Sequence, residues 1–377
     1  MTDVLVFGDT LRSPELRHEV PLPVPDPFLY AEHDGVRYAA VHSLEVSRLR
    51  ELGGLEVIPY AELGWDELVR SGIDRQELHL PLAVRACERL GIRSAAVPAG
   101  FPLDLADRLR AAGVELHVDR ALFAGRRRVK TPFELAGIAR AQRAAEAAMD
   151  VVRDLLRRAE GAGALEVDGE PLTSERAKQA IGAVFAAHEA VADEFIVSHG
   201  PQTATGHEMG FGTLAAGEPI IVDLFLKDRA TGCYADMTRT FVVGEPPEEL
   251  VRYHALCLQA LEEALARIRP GVTGRALFDG TCELFERHGF TTDRTKAEGA
   301  VLDEGFIHSL GHGVGLEVHE EPSLGTSGLR ELVAGDVIAV EPGLYRPGFG
   351  GCRLEDLVRV TEDGAENLTT YPYDLAP

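Results

Sequence analysis

The stretch IHSLGHGVGLEVHEEP, residues 307–322, sets three histidines, three glycines and three glutamates within sixteen positions. Glycine is costly in any regular element, so this segment is not optimised for stability. The four-residue step from His308 to His312 would suit one face of a helix. Gly311, Gly313 and Gly315 argue against a continuous helix there. Two readings remain for the stretch alone. Either His308, His312 and His319 are incidental on a surface loop, or the backbone bends to aim them at one point for metal or catalytic chemistry. The second is preferred, and the sequence on either side has to decide.

Carboxylates recur where strands are expected. Asp223 interrupts the apolar run PIIVDLFLK (219–227), and Asp236 sits in CYADMTRTFVV (233–243). Glu341 lies in DVIAVEPGLY (336–345) and Glu355 in CRLEDLVRVT (352–361). A lone charge inside an apolar strand is expensive. One such acid would simply point outward; four of them in neighbouring runs, beside a histidine-rich segment, would not. Buried carboxylates brought together must share protons or share cations. Four carboxylates and one imidazole without a thiolate suit Mn²⁺, Co²⁺, Fe²⁺ or Zn²⁺. Their charge exceeds that of one divalent ion, so two ions about 3.5–4 Å apart, bridged by carboxylates, fit better.

The 377 residues are long for one hydrophobic core, which predicts two domains. A net charge of −23 argues against nucleic acid or an anionic membrane surface as the main partner. Five dispersed cysteines without a CxxC pair read as reduced, packed thiols. No signal peptide is evident, and no apolar run approaches the roughly 20 residues that span a bilayer, so a cytoplasmic protein is expected. Strands are predicted near 37–43, 55–60, 94–100 and 114–119, with a helix over 102–113. This α/β unit carries no catalytic motif. A boundary falls in AGRRRVKTPFEL (124–135), where Thr131, Pro132 and Glu134 supply a cap, a first-turn proline and a capping-box acid. The helix they start should run to about Arg158. Further helices are expected near 173–190, 247–268 and 274–288, with a strand at 194–198.

The segments IIVDLF, GCYADMTRTF, IHSLGHGVGLEVHEEP, VIAVEPGLY and GCRLEDLVRVT occur in one order across residues 131–377. In that order they resemble the pita-bread metallopeptidases, in particular the proline-directed branch of Xaa-Pro aminopeptidases and prolidases. The resemblance implies an α/β creatinase-like N-terminal domain over 1–125 and an α+β pita-bread catalytic domain over 126–377. It implies two divalent ions per chain, manganese first among the candidates. Asp223 would chelate one ion, His312 and Glu341 the other, and Asp236 and Glu355 would bridge both. A water attacks the peptide carbonyl in this family, which gives Glu341 the role of proton acceptor. By the same carry-over His319 contacts the reacting carbonyl, and His207 positions or protonates the leaving imino group. His308 and Arg353 stand on the substrate side, His308 beside the proline pocket and Arg353 orienting the site, a role compatible with an ordinary ion pair from Arg353 to a ligand carboxylate. Short proline-containing peptides are the implied substrates and a homodimer the implied assembly.

Three departures from the family pattern stand out. Gly206 precedes His207 where proline is usual. The interval from Asp223 to Asp236 is slightly long, so the hairpin between them must absorb the excess. Ser323 follows HEEP where one prolidase branch has an arginine that grips a dipeptide's carboxylate. His199 is a second histidine near His207 but fits the motif worse and reads as structural, and Tyr345 reads as packing. Methionine aminopeptidases lack the N-terminal domain and space their last two acidic ligands farther apart. Creatinase-type hydrolases and non-catalytic pita-bread modules have lost ligands that are intact here. The resulting expectation is a dinuclear Xaa-Pro peptidase, an aminopeptidase slightly ahead of a strict dipeptidase.

Overall fold

Alternate residues of the strand Val4–Gly8 are buried in opposite directions. Val4 and Val6 pack with Leu16, Leu49 and Phe123, whereas Leu5 packs with Leu82, Ala86, Leu105 and Leu109. A strand buried on both faces needs helices on both sides of its sheet. The computed structural model describes residues 2–377, and the chain divides into one unit ending at Arg127 and a second from Arg128 to Pro377. The first unit is built on a six-stranded mixed sheet in the order Glu56–Pro59, Val36–Val41, Phe28–His33, Val4–Gly8, Ser94–Val97, Glu115–Val118. Four of these match predicted strands. Val4–Gly8 and Phe28–His33 were not anticipated, being short and buried on both faces without a period-two pattern.

In the second unit the helix Pro132–Arg158 begins as its sequence dictates. Thr131 Oγ1 accepts from the Glu134 amide at 3.2 Å, and the Glu134 carboxylate accepts from the Thr131 amide at 2.8 Å. Its apolar stripe through Ala145, Ala148, Met149, Val152 and Leu156 packs on Val222, Leu224 and Met237. These belong to the antiparallel strands Ile220–Asp228 and Tyr234–Phe241, flanked by Ile196–His199. The slightly long hairpin closes on Asp228, whose Oδ2 accepts from the Thr231 amide and hydroxyl at 2.8 and 2.6 Å.

A second sheet repeats the plan. Helices Glu248–Leu265 and Gly274–Arg287 cover Ile338, Val340, Val358 and Val360. These lie on the strands Val337–Val340 and Asp356–Val360, with Gly311–Gly313 pairing at one side. Side chains on a strand alternate between faces, so packing Val222, Leu224 and Met237 on one face commits Asp223 and Asp236 to the other. No helix among the described residues is long and apolar enough to cross a membrane.

Thr131→Ala removes the cap and should cost about 1 kcal/mol. For a unit of this size that corresponds to a loss of about 2–4 °C in Tm, with peptide turnover unchanged at low temperature. A melt that does not move would show that the cap is dispensable.

Candidate metal centre

The two runs read in sequence as single strands each break at an acid. Val337–Val340 continues, after Glu341 and Pro342, as Gly343–Arg346, and Gly350–Arg353 continues, after Leu354 and Glu355, as Asp356–Val360. Val340 pairs with Asp356 and Gly343 with Arg353, so one antiparallel register runs through the gap and sets Glu341 opposite Glu355. Like charges facing each other across two strands are destabilising. At this pair the ladder opens instead of closing. The Glu341 amide donates to the Leu310 carbonyl at 2.8 Å, and the Glu355 amide to the Thr238 carbonyl at 3.1 Å. Each acid is thereby handed to a neighbouring element, Glu341 to the histidine stretch and Glu355 to the strand of Asp236.

On the first sheet Asp223 pairs with Thr238 and Phe225 with Asp236, which places the two aspartates diagonally on one face. His312 pairs with Ala339, the position two before Glu341. His312 Nδ1 donates to the Gly313 carbonyl at 3.1 Å, leaving a lone pair on Nε2. That nitrogen lies 3.6 Å from Glu341 Oε1 and 3.8 Å from Asp236 Oδ2. Ligand atoms of Asp236, His312 and Glu355 all lie within 4.8 Å of one another. All nine residues singled out in the sequence, His207, Asp223, Asp236, His308, His312, His319, Glu341, Arg353 and Glu355, line one cavity of about 650 Å³. Ser323 lines it too. His199 does not; its ring nitrogens engage Glu218 and the Phe211 carbonyl.

The glycines do different work from the tight turning their number suggests. A Cβ on Gly311 would stand 1.9 Å from the Ala339 carbonyl oxygen, and one on Gly313 would stand 2.4 Å from that of Glu321. They permit close backbone approach, which brings His312 alongside the Glu341 strand. The segment is extended or bent throughout, with no helix.

Arg353 turns its donors inward and makes the ion pair with a ligand carboxylate that is compatible with orienting the site. Nη2 donates to Asp223 Oδ2 at 2.6 Å, Nη1 to Tyr345 Oη at 2.9 Å and Nε to Thr238 Oγ1 at 3.4 Å. Thr238 Oγ1 donates in turn to Glu355 Oε2 at 2.7 Å. Tyr345 is more than packing, since its hydroxyl also bonds His308 Nε2 at 2.9 Å. Sequence reasoning missed Thr238 and Tyr345 because a hydroxyl on an apolar strand signals nothing until its partners are placed.

Burial, reinforced by the charges of Glu355, Asp223 and Glu341, pushes the Asp236 carboxyl well above its ordinary range. Burial and the neighbouring Glu341 and Asp223 do the same to Glu355. Burial lifts Glu341 to about 8, with Arg353 opposing and Asp223 adding. Burial lowers His312 to about 4, helped by His319, and lowers His308 to about 3, helped by Arg353. Among the described residues, Asp223 Oδ1 is buried without any hydrogen-bond partner. An orphaned carboxylate oxygen, crowded acids and a neutral imidazole with its lone pair inward all fit divalent cations.

Residues 136–362 match the model of metallopeptidase family M24. The chain belongs to that family. The Xaa-Pro dipeptidase of Pyrococcus furiosus is 34% identical over 188 residues, 50% of each chain. This M24 chain spans about half the length of the curated relatives it matches. Two solved structures align over nearly its whole length. The prolidase from Pyrococcus furiosus has a TM-score of 0.78 at 22% identity, covering 99% of this chain and 97% of that one. The X-Pro aminopeptidase from Thermotoga maritima has a TM-score of 0.79 at 24% identity, with the same coverage. At these identities the likeness is one of fold, the pita-bread fold in the catalytic unit.

The shifted groups give the metal-free M24 chain a pH signature. Folded Glu341 keeps a proton that the unfolded chain releases above about 4.3, so its contribution to stability falls as pH rises towards 8. The histidines act oppositely and only on the acid side. Unfolded imidazoles take up protons below about 6.5 that His308 and His312 refuse, so stability is lost as pH falls. Between pH 6.5 and 8 the histidines no longer act and the carboxylates dominate, the buried thiols adding to the same trend only near its upper end. The Tm of chelator-treated protein should fall across that window, and saturating Mn²⁺ should remove the slope. A flat metal-free profile would contradict the crowding.

Proposed function

We propose that this chain is a dinuclear-metal-dependent Xaa-Pro peptidase, cleaving the bond between an N-terminal residue and a following proline. The observation that carries the metal half is the convergence of Asp223, Asp236, Glu341 and Glu355 on one imidazole, with Asp223 Oδ1 left for a cation. The proline half rests on the motif set and on relatives named for Xaa-Pro substrates.

Asp223, Asp236, His312, Glu341 and Glu355 would hold the two ions, manganese first. When bound, the ions polarise the scissile carbonyl and lower the pKa of water. Glu341 accepts the proton of the attacking water. Arg353 acts on Asp223, holding its carboxylate in place, more than on substrate. His308 is neutral, with Nδ1 donating to the Ser309 carbonyl and Nε2 taken by Tyr345. It therefore offers proline a ring surface and no proton. His207 and His319 are exposed at the cavity, where each can reach a substrate. The His319 ring stands 4.2 Å from that of His312. A homodimer is part of the proposal, as is a cytoplasmic location, supported by five buried, unpaired cysteines.

His207→Ala and His319→Ala should keep both ions and lose roughly 10²–10⁴ in rate, the worth of a positioned proton-transfer group. Full activity in either variant would remove that residue from the mechanism. The choice between aminopeptidase and strict dipeptidase turns on Ser323, which cannot make the bidentate grip on a terminal carboxylate that arginine makes. Dipeptidase names among the relatives favour the other reading. The expected outcome is kcat/KM for Ala-Pro-Ala at least equal to that for Ala-Pro. A clear preference for Ala-Pro makes the protein a prolidase.

A further inference from the structure

Among the described residues, Arg239 is one of the largest fully buried side chains. A buried guanidinium is expensive unless every donor is matched, and here all five are. Nε donates to the Pro372 carbonyl at 2.9 Å, and Nη2 to the Tyr371 carbonyl at 2.8 Å and Asp356 Oδ1 at 3.0 Å. Nη1 donates to the carbonyls of Thr238 at 2.9 Å and Glu355 at 2.8 Å. The last two carbonyls belong to the bridge at which the Asp223–Asp236 sheet meets the strand of Glu355. The Tyr373 ring lies 4.5 Å from the guanidinium, and its hydroxyl donates to Asp356 Oδ2 at 2.5 Å.

The geometry points to Arg239 as a positioning residue that fixes the spacing between the carboxylates of the two sheets. It touches no ligand atom. One nitrogen holds the backbone of both partners at the crossing point, and the other ties that crossing to Asp356 and the chain at Tyr371. Apart from it, Glu355 itself is joined to the strand of Asp236 by its amide and the Thr238 hydroxyl, and two residues earlier Arg353 is tied to that strand through Thr240 Oγ1 and Thr238 Oγ1. Lysine keeps the charge but has three donors on one nitrogen and cannot span both carbonyls together with Asp356. This assignment rests on the proposed dinuclear site.

Arg239→Lys tests it. Mn²⁺ titration calorimetry on chelator-treated protein, with Tm measured with and without Mn²⁺, reads the centre independently of turnover. The expected result is a loss of roughly 10–100-fold in affinity for at least one ion, the usual effect of removing a group that orients ligands. kcat should fall while KM for Ala-Pro-Ala stays near the wild-type value. Tyr373→Phe, which keeps the ring and removes one bond to Asp356, should shift metal affinity the same way but less, and covers the case in which Arg239→Lys does not fold. Thr131→Ala serves as the control, lowering Tm with unchanged Mn²⁺ binding. Arg239→Lys, or Tyr373→Phe in its place, behaving like that control would overturn the assignment and leave the dinuclear site standing. A wild-type protein that takes up no second ion would overturn both.

Discussion

Mutual repulsion among four carboxylates, three buried and one half-buried, is the constraint on which this catalytic unit is organised. Asp223, Asp236, Glu341 and Glu355 are brought into one cavity by two separate sheets. Nothing in ordinary packing rewards that arrangement, because desolvation and like charge both oppose ionisation. Arg353 offsets part of the charge by engaging Asp223, and Thr238 by donating to Glu355. What remains needs cations or protons. The surrounding fold supplies the rigidity that such a strained grouping requires, through helices packed on the outer face of each sheet.

The delivery of these groups follows from strand geometry. Alternation sends Asp223 and Asp236 inward once Val222, Leu224 and Met237 have packed against the long helix. One continuous register sets Glu341 against Glu355, and the ladder opens at that pair so that each amide bonds a third element. The glycines at 311 and 313 then let the histidine strand approach closely enough for Nε2 of His312 to face the acids. Catalytic potential here is a property of the junction between sheets, since neither sheet alone holds the set.

Much of this was legible in the sequence. Thr131, Pro132 and Glu134 mark a helix start by local chemistry alone, and a carboxylate inside an apolar run is visible without a structure. Other features were not. The runs around Glu341 and Glu355 read as single strands, because nothing local announces that their pairing opens at the acid. Tyr345, Thr238 and Arg239 act through partners distant in sequence, at separations that no periodicity reports. The strands Val4–Gly8 and Phe28–His33 were missed because they are buried on both faces. The glycines pointed to the right segment for an incomplete reason, since close approach and turning leave the same mark on a sequence.

The central claim is that these acids and His312 hold two divalent ions. Elemental analysis of Mn²⁺-loaded, desalted protein, set beside turnover during stepwise metal addition, tests it most directly. The account expects two ions per chain, activity rising with occupancy, and loss of both affinity and rate in Glu355→Gln. Full activity with no more than one ion per chain, and no gain from a second, would contradict it.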